Sequence, residues 1–299
     1  MIDVKLLTLL GVCEAKSFTK AAEKLSLTQP AVSQHIKQLE SELGIKIFNR
    51  GGNEIRLTDE GIIVEKYARR LNSLYDNLSR ALNEQKRQIK NLSIGITHTS
   101  ESNAVAEVIA KYGATKNGVH ITLIAESITN LYDMLRNYEI DIAIMEGQSA
   151  SGEFNSVLLD TDFLVLAIPS NHPLAKKSMI TINELKKEKL ILRLPNSGTR
   201  NLFISHLESR NLSIDDFNVI LEVNNIATIK DLIRRGFGVS ILAKSVCLDE
   251  LKKGKIAVLP IENLSMIRDI NIVYLPDFEH LNILNDLTRL YKDTMNLYK

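Results

Sequence analysis

Residues 18–57 read Phe18-Thr-Lys-Ala-Ala-Glu-Lys-Leu25, Ser26-Leu-Thr28, Gln29-Pro-Ala-Val-Ser-Gln-His-Ile-Lys-Gln-Leu-Glu-Ser-Glu-Leu43-Gly44, Ile45-Lys-Ile-Phe-Asn-Arg50, Gly51-Gly-Asn53 and Glu54-Ile-Arg-Leu57. The spacing predicts two short helices joined by a tight turn. The first takes Thr19 as N-cap and turns Ala21, Ala22 and Leu25 inward, where alanines allow a second helix to approach closely. The second takes Thr28 as N-cap and Pro30 in its first turn, where a missing N–H costs nothing. Val32, Ile36, Leu39 and Leu43 fall on one apolar stripe. Gly44 ends the helix.

The other face of the second helix carries Gln29, Ser33, Gln34, Lys37 and Gln38. These side chains hydrogen-bond and bring little net charge, which is the surface a helix needs to read base edges in a major groove. Residues 45–50 and 54–57 alternate in polarity around a glycine turn and predict a β-hairpin. A helix-turn-helix followed by a small hairpin is a winged helix. Arg50 and Arg56 then sit on the wing, in reach of phosphates.

Working outward, residues 3–15 predict a first helix with Leu6, Leu7, Leu10 and Cys13 inward. After Thr58, which suits an N-cap, no proline interrupts residues 59–88. Val64, Tyr67, Leu71, Leu74, Leu78, Ala81 and Gln85 recur at steps of three and four, a heptad seam. The other faces of this helix are polar, so the seam calls for a second copy of the chain; packing on its own domain is the alternative.

The 299 residues suffice for two or three domains. Hydrophobic content of 44% and charged content of 24% are ordinary for a globular chain. Net charge is only +1, yet residues 1–90 hold 15 Lys+Arg against 11 Asp+Glu, a sign that agrees with nucleic-acid contact there. The two cysteines make no disulfide framework or zinc spacing. Cys13 reads as core, and Cys247 as core or as a redox sensor. No signal-peptide pattern and no apolar run of membrane-span length appears, so the expectation is an intracellular, cytoplasmic protein without membrane contact.

From Asn91 the pattern becomes alternating strands and helices, and the order β-α-β-α-β appears twice: strands at 92–97, 119–125 and 141–145, then 190–194, 217–223 and 239–242. Two strand-like runs flank Asp160-Thr-Asp162. A strand at 266–275 and a terminal helix at 282–298 follow. The fold class expected is α/β overall: an N-terminal winged helix-turn-helix, a long linker helix and a C-terminal two-lobed α/β domain with its cleft between the lobes.

Asn196-Ser197-Gly198-Thr199-Arg200 follows a strand and opens a helix, so free N–H groups, hydroxyls and a guanidinium meet at a positive helix end. It reads as an anion site or, more plainly, as a cap with a surface arginine. On the opposite wall Thr97 and Thr99 end the first strand, with capping as the alternative role. Glu146 is another rim residue, and rim acids are commonly just solvated. No Gly-x-Ser-x-Gly, His-Glu-x-x-His or P-loop is present, and Gly236-Phe-Gly238 lacks the third glycine of a dinucleotide loop. No enzyme, cofactor or metal site is expected.

Ala21-Ala22, Leu25, Thr28-Gln29-Pro30-Ala31-Val32-Ser33, Ile36, Leu39-Glu40, Leu43-Gly44, Phe48, Arg50 and Leu57-Thr58 with Gly61 resemble the N-terminal domain of LysR-type transcriptional regulators. The departures are Leu9, where that family often has Phe, and Glu60, where Ala often precedes the glycine. The later lobes resemble the family's effector domain, which is laid out like a periplasmic binding protein. The resemblance implies a winged helix-turn-helix over 1–58, a dimerising linker helix over 59–89 and an effector-binding domain over 90–299. Lobe I would comprise 90–161 and 267–299, and lobe II 162–266. It implies DNA contact by Thr28, Gln29, Pro30, Ser33, Gln34, Lys37 and Arg50, and dimerisation through Val64, Tyr67, Leu71, Leu74, Leu78 and Ala81. A subset of the family carries a similar Ser-Gly-Thr-Arg and includes members that sense small anionic metabolites. The effector, expected to be an anion, would meet Thr97, Thr99, Ser197, Gly198, Thr199 and Arg200. Other partners implied are a double-stranded DNA operator, further copies of the chain as a dimer or tetramer, and RNA polymerase. The rival reading is a solute-binding or transport-associated protein using the two lobes alone, which leaves residues 1–90 without a role.

Overall fold

Caps and one close approach shape the N-terminal end of this computed structural model, which describes residues 2–49, 55–87, 90–147 and 152–297. Backbone contacts divide the chain into residues 1–91 with 136–139, and residues 92–135 with 140–299.

The first unit contains α1 (Val4–Ala15), α2 (Phe18–Lys24), α3 (Gln29–Leu43) and α4 (Asp59–Arg87). Thr28 caps α3 by accepting from the Ala31 amide, and Gly44 ends it at φ 68°, a left-handed conformation that costs glycine little. The cap of α2 is Ser17, not Thr19: the extended backbone of Ser17 lets its hydroxyl accept from the Lys20 amide, while Thr19 is already inside the helix. The core gathers Leu9, Val12, Ala21, Ala22, Val32, Ile36, Leu39, Ile47, Phe48 and Ala68. The buried face of α1 is thus Thr8, Leu9 and Val12, and the expected Leu7 is exposed.

Leu43 also departs from expectation. It is exposed, because Gly44 ends the helix beneath it, and the last buried position of α3 is Glu40. The Glu40 carboxylate accepts from the Ile47 amide at 2.9 Å and from Lys46 Nζ at 3.0 Å, satisfying the returning chain where an apolar side chain would leave it unpaired. The base of the wing is an antiparallel bridge between Phe48 and Leu57, with the Asn49 amide donating to the Arg56 carbonyl at 2.9 Å. Arg50 and the glycine turn lie outside the described residues. Thr58 Oγ1 accepts from the Gly61 amide at 2.9 Å and starts α4. A Cβ on Gly61 would stand 2.2 Å from the Ile47 carbonyl oxygen, so the helix can cross the returning chain only at glycine.

The second unit runs β1 (Lys90–Thr97), α5 (His98–Glu101), α6 (Ala104–Thr115), β2 (Val119–Glu126), α7 (Ile128–Arg136), β3 (Ile142–Glu146) and β4 (Asn155–Pro169). It continues with α8 (Ile182–Leu185), β5 (Lys189–Leu192), α9 (Gly198–Glu208), β6 (Asn218–Glu222), α10 (Ile226–Arg234) and β7 (Ser240–Ala243). It closes with α11 (Leu248–Lys252), β8 (Ile256–Leu259), β9 (Ile267–Tyr274) and α12 (Leu281–Asn296). The large sheet has the order β2-β1-β3-β9-β4-β7, with β8 also on β4, and β5 pairs with β6. Strands β1 and β3 are parallel, as are β5 and β6, as βαβ crossovers require.

Two apolar cores make two lobes. One gathers Leu92, Ile94, Ile96, Val105, Ile142, Ile272 and Leu287; the other Leu166, Ile168, Leu190, Ile191, Phe203, Ile229 and Ile241. The expected pair of runs around Asp160-Thr-Asp162 is instead one strand. No glycine or proline breaks 155–168, and a register irregularity between Leu158 and Asp160 absorbs the polar residues. β4 and β9 pair antiparallel from Asn155–Tyr274 to Phe163–Ile267, and beyond that β4 pairs with β7 and β8 in the second lobe. Sequence periodicity missed α11 and β8, which are short and flanked by lysines. Among the described residues no helix is long and apolar enough to cross a membrane.

Cys247 is wholly buried in the second lobe, and loss of solvation pushes its thiol up to about 12. That removes the thiolate a redox sensor needs. In native protein at pH 8, Cys247 is therefore expected to react with a maleimide only after denaturation, as followed by intact-mass spectrometry; rapid native labelling would contradict this packing.

Candidate functional site

The exposed face of α3 is polar. Gln29, Pro30, Gln34, Lys37 and Gln38 stand in solvent and Ser33 is half-buried, while Val32, Ile36 and Leu39 hold the other face in the core. Gln29 Nε2 donates to Ser33 Oγ at 2.9 Å, a bond that fixes both groups on one side of the first two turns. Thr28 places its backbone at the helix start, where amide N–H groups face outward. On α4, Tyr67, Leu71, Leu74, Leu78 and Ala81 are exposed. Val64, expected to open that seam, packs partly on the first unit's own core, and Ala68 is buried there. Gln85's side chain lies outside the described residues.

A cleft of about 420 Å³ opens between the lobes of the second unit. One wall brings Thr97 and Glu146 from the ends of β1 and β3 and Thr99 from α5, with Glu126, Ser127 and Asn130 from the end of β2 and the start of α7. The other brings Arg193 and Asn224, with Asn196, Ser197, Gly198 and Asn201 at the start of α9. The strands end here for the reason general to α/β sheets: crossovers carry the chain away and leave a crevice beyond their C-termini.

Glu146, read from sequence as a solvated rim acid, is buried. Thr97 Oγ1 lies 2.8 and 2.9 Å from its two oxygens, and Ser100 Oγ donates to it at 3.0 Å. Thr97 also caps α5 by accepting from the Ser100 amide at 3.1 Å. So Thr97 serves both as a cap and in the wall. Glu126 Oε2 accepts from Asn130 Nδ2 at 2.9 Å.

Arg193 is the residue that sequence reasoning missed. Only 4% of it is exposed. Nη2 donates to Asn224 Oδ1 at 3.4 Å, and Nε and Nη1 have no hydrogen-bond partner among the described residues. Burial holds its pKa below the ordinary arginine range; Glu146 opposes that shift and Arg268 adds to it. Arginine nonetheless stays protonated, so the cleft wall contains a buried cation with two unpartnered donors. The signal was an arginine inside the apolar run Leu190-Ile-Leu-Arg-Leu194.

Two of the expected effector residues are not in the cleft. Ser197 and Gly198 line it, and Ser197 Oγ caps α9 by accepting from the Arg200 amide at 3.5 Å. Thr199 is buried behind them, its hydroxyl accepting from Arg268 Nη1 at 3.3 Å. Arg200 turns away on the helix. Its Nη1 donates to the Arg193 carbonyl at 3.0 Å and pairs with Glu222 Oε1 at 2.5 Å. Successive helical positions rotate by about 100°, so residues 198 and 200 cannot both face one wall. Arg200 thus steadies the backbone of Arg193 and adds no charge to the cleft.

Comparison with known proteins follows this division. Residues 4–62 match the model for bacterial regulatory helix-turn-helix proteins of the lysR family, and residues 85–296 match the LysR substrate binding domain. A probable RuBisCO transcriptional regulator of Thalassiosira pseudonana is 30% identical over 276 residues, 89% of each chain. The HTH-type transcriptional regulator CysL of Bacillus subtilis is 28% identical over 274 residues, 91% of each. Full-length CbnR complexed with its target DNA superposes with a TM-score of 0.69 at 18% identity, covering 98% of this chain and 99% of that one. The regulatory domain of Synechocystis PCC6803 CcmR in complex with 2-PG gives 0.60 at 22% identity, covering 68% and 98%. With its helix-turn-helix and two-lobed effector domain, this chain belongs to the LysR family of DNA-binding transcriptional regulators.

Proposed function

We propose that the chain acts in the cytoplasm as a dimeric regulator that reads a two-fold symmetric operator and answers to a small anion held in the cleft. The observation that carries the reading is the buried Arg193 guanidinium with two open donors. Burying a charge costs several kcal/mol unless it is paired. A ligand carboxylate, phosphate or sulfur oxyanion would supply the missing partner, with the Ser197–Gly198 helix start beside it to add amide donors. The CcmR regulatory domain solved with 2-PG supports a small ligand in this kind of domain, and the CbnR complex supports DNA on this kind of N-terminal unit. Thr199 and Arg200 act from behind the wall, on Arg268 and on the Arg193 backbone. RNA polymerase remains a proposed partner on family grounds.

On DNA, Gln29, Ser33 and Gln34 take the base contacts, while Thr28, Lys37 and Arg50 hold phosphates; Pro30 rigidifies the first turn of the reading helix. The exposed seam Tyr67, Leu71, Leu74, Leu78 and Ala81 pairs two copies, since water-exposed leucines in this regular spacing are otherwise a cost.

Three measurements test these assignments. Across a randomised operator library, Gln34→Ala is expected to relax preference at particular base pairs by about 1–3 kcal/mol. Lys37→Ala is expected to weaken every sequence alike and to shallow the salt slope by about one unit; identical effects of the two variants would overturn this division of roles. The double variant Leu71→Asp, Leu74→Asp is expected to be monomeric by light scattering and to lose operator affinity, whereas a dimeric double variant would move the interface elsewhere. For the cleft, calorimetry on the full-length protein with a panel of small acids is expected to give a hit that Arg193→Met abolishes. Equal binding by that variant, or binding only of cationic or neutral compounds, would refute an anionic effector.

A further inference from the structure

Resting on that reading, the cleft can be taken one step further, to the class of acid it selects. The charged side chains in its wall are two carboxylates, Glu126 and Glu146, and one guanidinium, Arg193, with His98 as the remaining titratable group. A plain dianion filling this space would bring one end to Arg193 and lay the rest of its charge against acidic walls. Glu146 is also not fully served by hydrogen-bond donors from within. Its oxygens accept from Thr97 and Ser100, two hydroxyls that donate one proton each, and a carboxylate has about four lone-pair sites. Arg193 makes no ion pair with it among the described residues. The cleft wall therefore has a buried cation with two unpartnered donors at one side and, at the other, a buried carboxylate whose two hydroxyl donors leave acceptor sites over.

We infer that the effector is a small acid that also carries a hydrogen-bond donor, a hydroxyl or an ammonium, with its anion on Arg193 and its donor on Glu146. A hydroxy acid, an amino acid or a hydroxylated phosphate ester has this pattern. A simple carboxylate, inorganic phosphate or sulfate does not. One end of such a ligand partners Arg193 and the other adds a donor to a buried carboxylate that two hydroxyls already serve, so a ligand without that donor covers the Glu146 oxygens without giving them a further hydrogen bond. The side-chain amides of Asn130, Asn201 and Asn224 surround the space between the two ends and suit further hydroxyls. The cleft's size falls within the range common for small-molecule sites.

The experiment is calorimetry on the full-length protein with two matched series. The carboxylate series is propionate, lactate, 2-methoxypropionate and alanine; the phosphate series is ethyl phosphate, 2-hydroxyethyl phosphate and 2-methoxyethyl phosphate. In whichever series binds, the hydroxyl or amino member should bind about tenfold or more tightly than the member without a donor, the gain expected for a hydrogen bond to a charged group. The methoxy member keeps the oxygen and loses the proton, so this comparison holds even where a variant folds poorly. Glu146→Gln should narrow the gap to less than about threefold, and Arg193→Met should abolish binding of every member. Donor-free acids that bind through Arg193 as tightly as their hydroxylated partners would overturn this inference and leave an anionic effector standing. No binding in either series would overturn both.

Discussion

The buried guanidinium of Arg193 sets the terms for the regulatory unit. A fixed cation in a protein interior is tolerated when its donors are used, and here two have no partner among the described residues. The fold holds it in place from behind. Arg200 donates to its carbonyl, Asn224 accepts from one terminal nitrogen, and Leu190, Ile191 and Leu192 of the strand that precedes it are buried in the second lobe's core. These partners fix the residue in position, and among the described residues none of them is an anion. The opposite wall is built on the same plan with the signs reversed: Glu146 ends a buried strand, and two hydroxyls orient it.

The walls of the cleft belong to lobes joined by two strands. β4 and β9 lie side by side, and Asp162 stands opposite Arg268 in their register. The two form a buried ion pair at 3.6 Å, with Ser245 Oγ donating to Asp162 at 2.7 Å. Arg268 also donates to Thr199, so the start of α9 is tied directly to the crossing strand. Whatever fills the cleft acts on residues one hydrogen bond away from the strands that join the lobes. A ligand shifts the lobe arrangement only to the extent that it binds one arrangement better, and a ligand that bridges Arg193 and Glu146 meets that condition because each lobe supplies one end.

The helix-turn-helix was legible because its signals are local. Thr28, Pro30 and Gly44 mark the ends of α3, and Val32, Ile36 and Leu39 mark its buried face within a few turns. The misreadings there are local too: Ser17 outcompetes Thr19 because its backbone is extended, and Glu40 is buried because it satisfies the returning chain. The two lobes were legible from the repeated strand and helix order. The cleft was only half legible. Ser197 and Gly198 carry a cap pattern that sequence shows, but the roles of Thr199 and Arg200 depend on helical phase against Arg268 and Glu222. Arg193 and Glu146 are far apart in the chain and line one cleft through the packing of separate sheets, which no periodicity reports. An arginine inside an apolar strand was the one visible mark.

The most direct measurement is native mass spectrometry of the full-length protein purified gently from its own cells, with the small molecule it carries released by denaturation and identified. The account predicts an acid bearing a hydroxyl or amino group, present on the parent protein and absent from Arg193→Met purified in the same way. A neutral or cationic molecule, or the same acid carried equally by the variant, would contradict it.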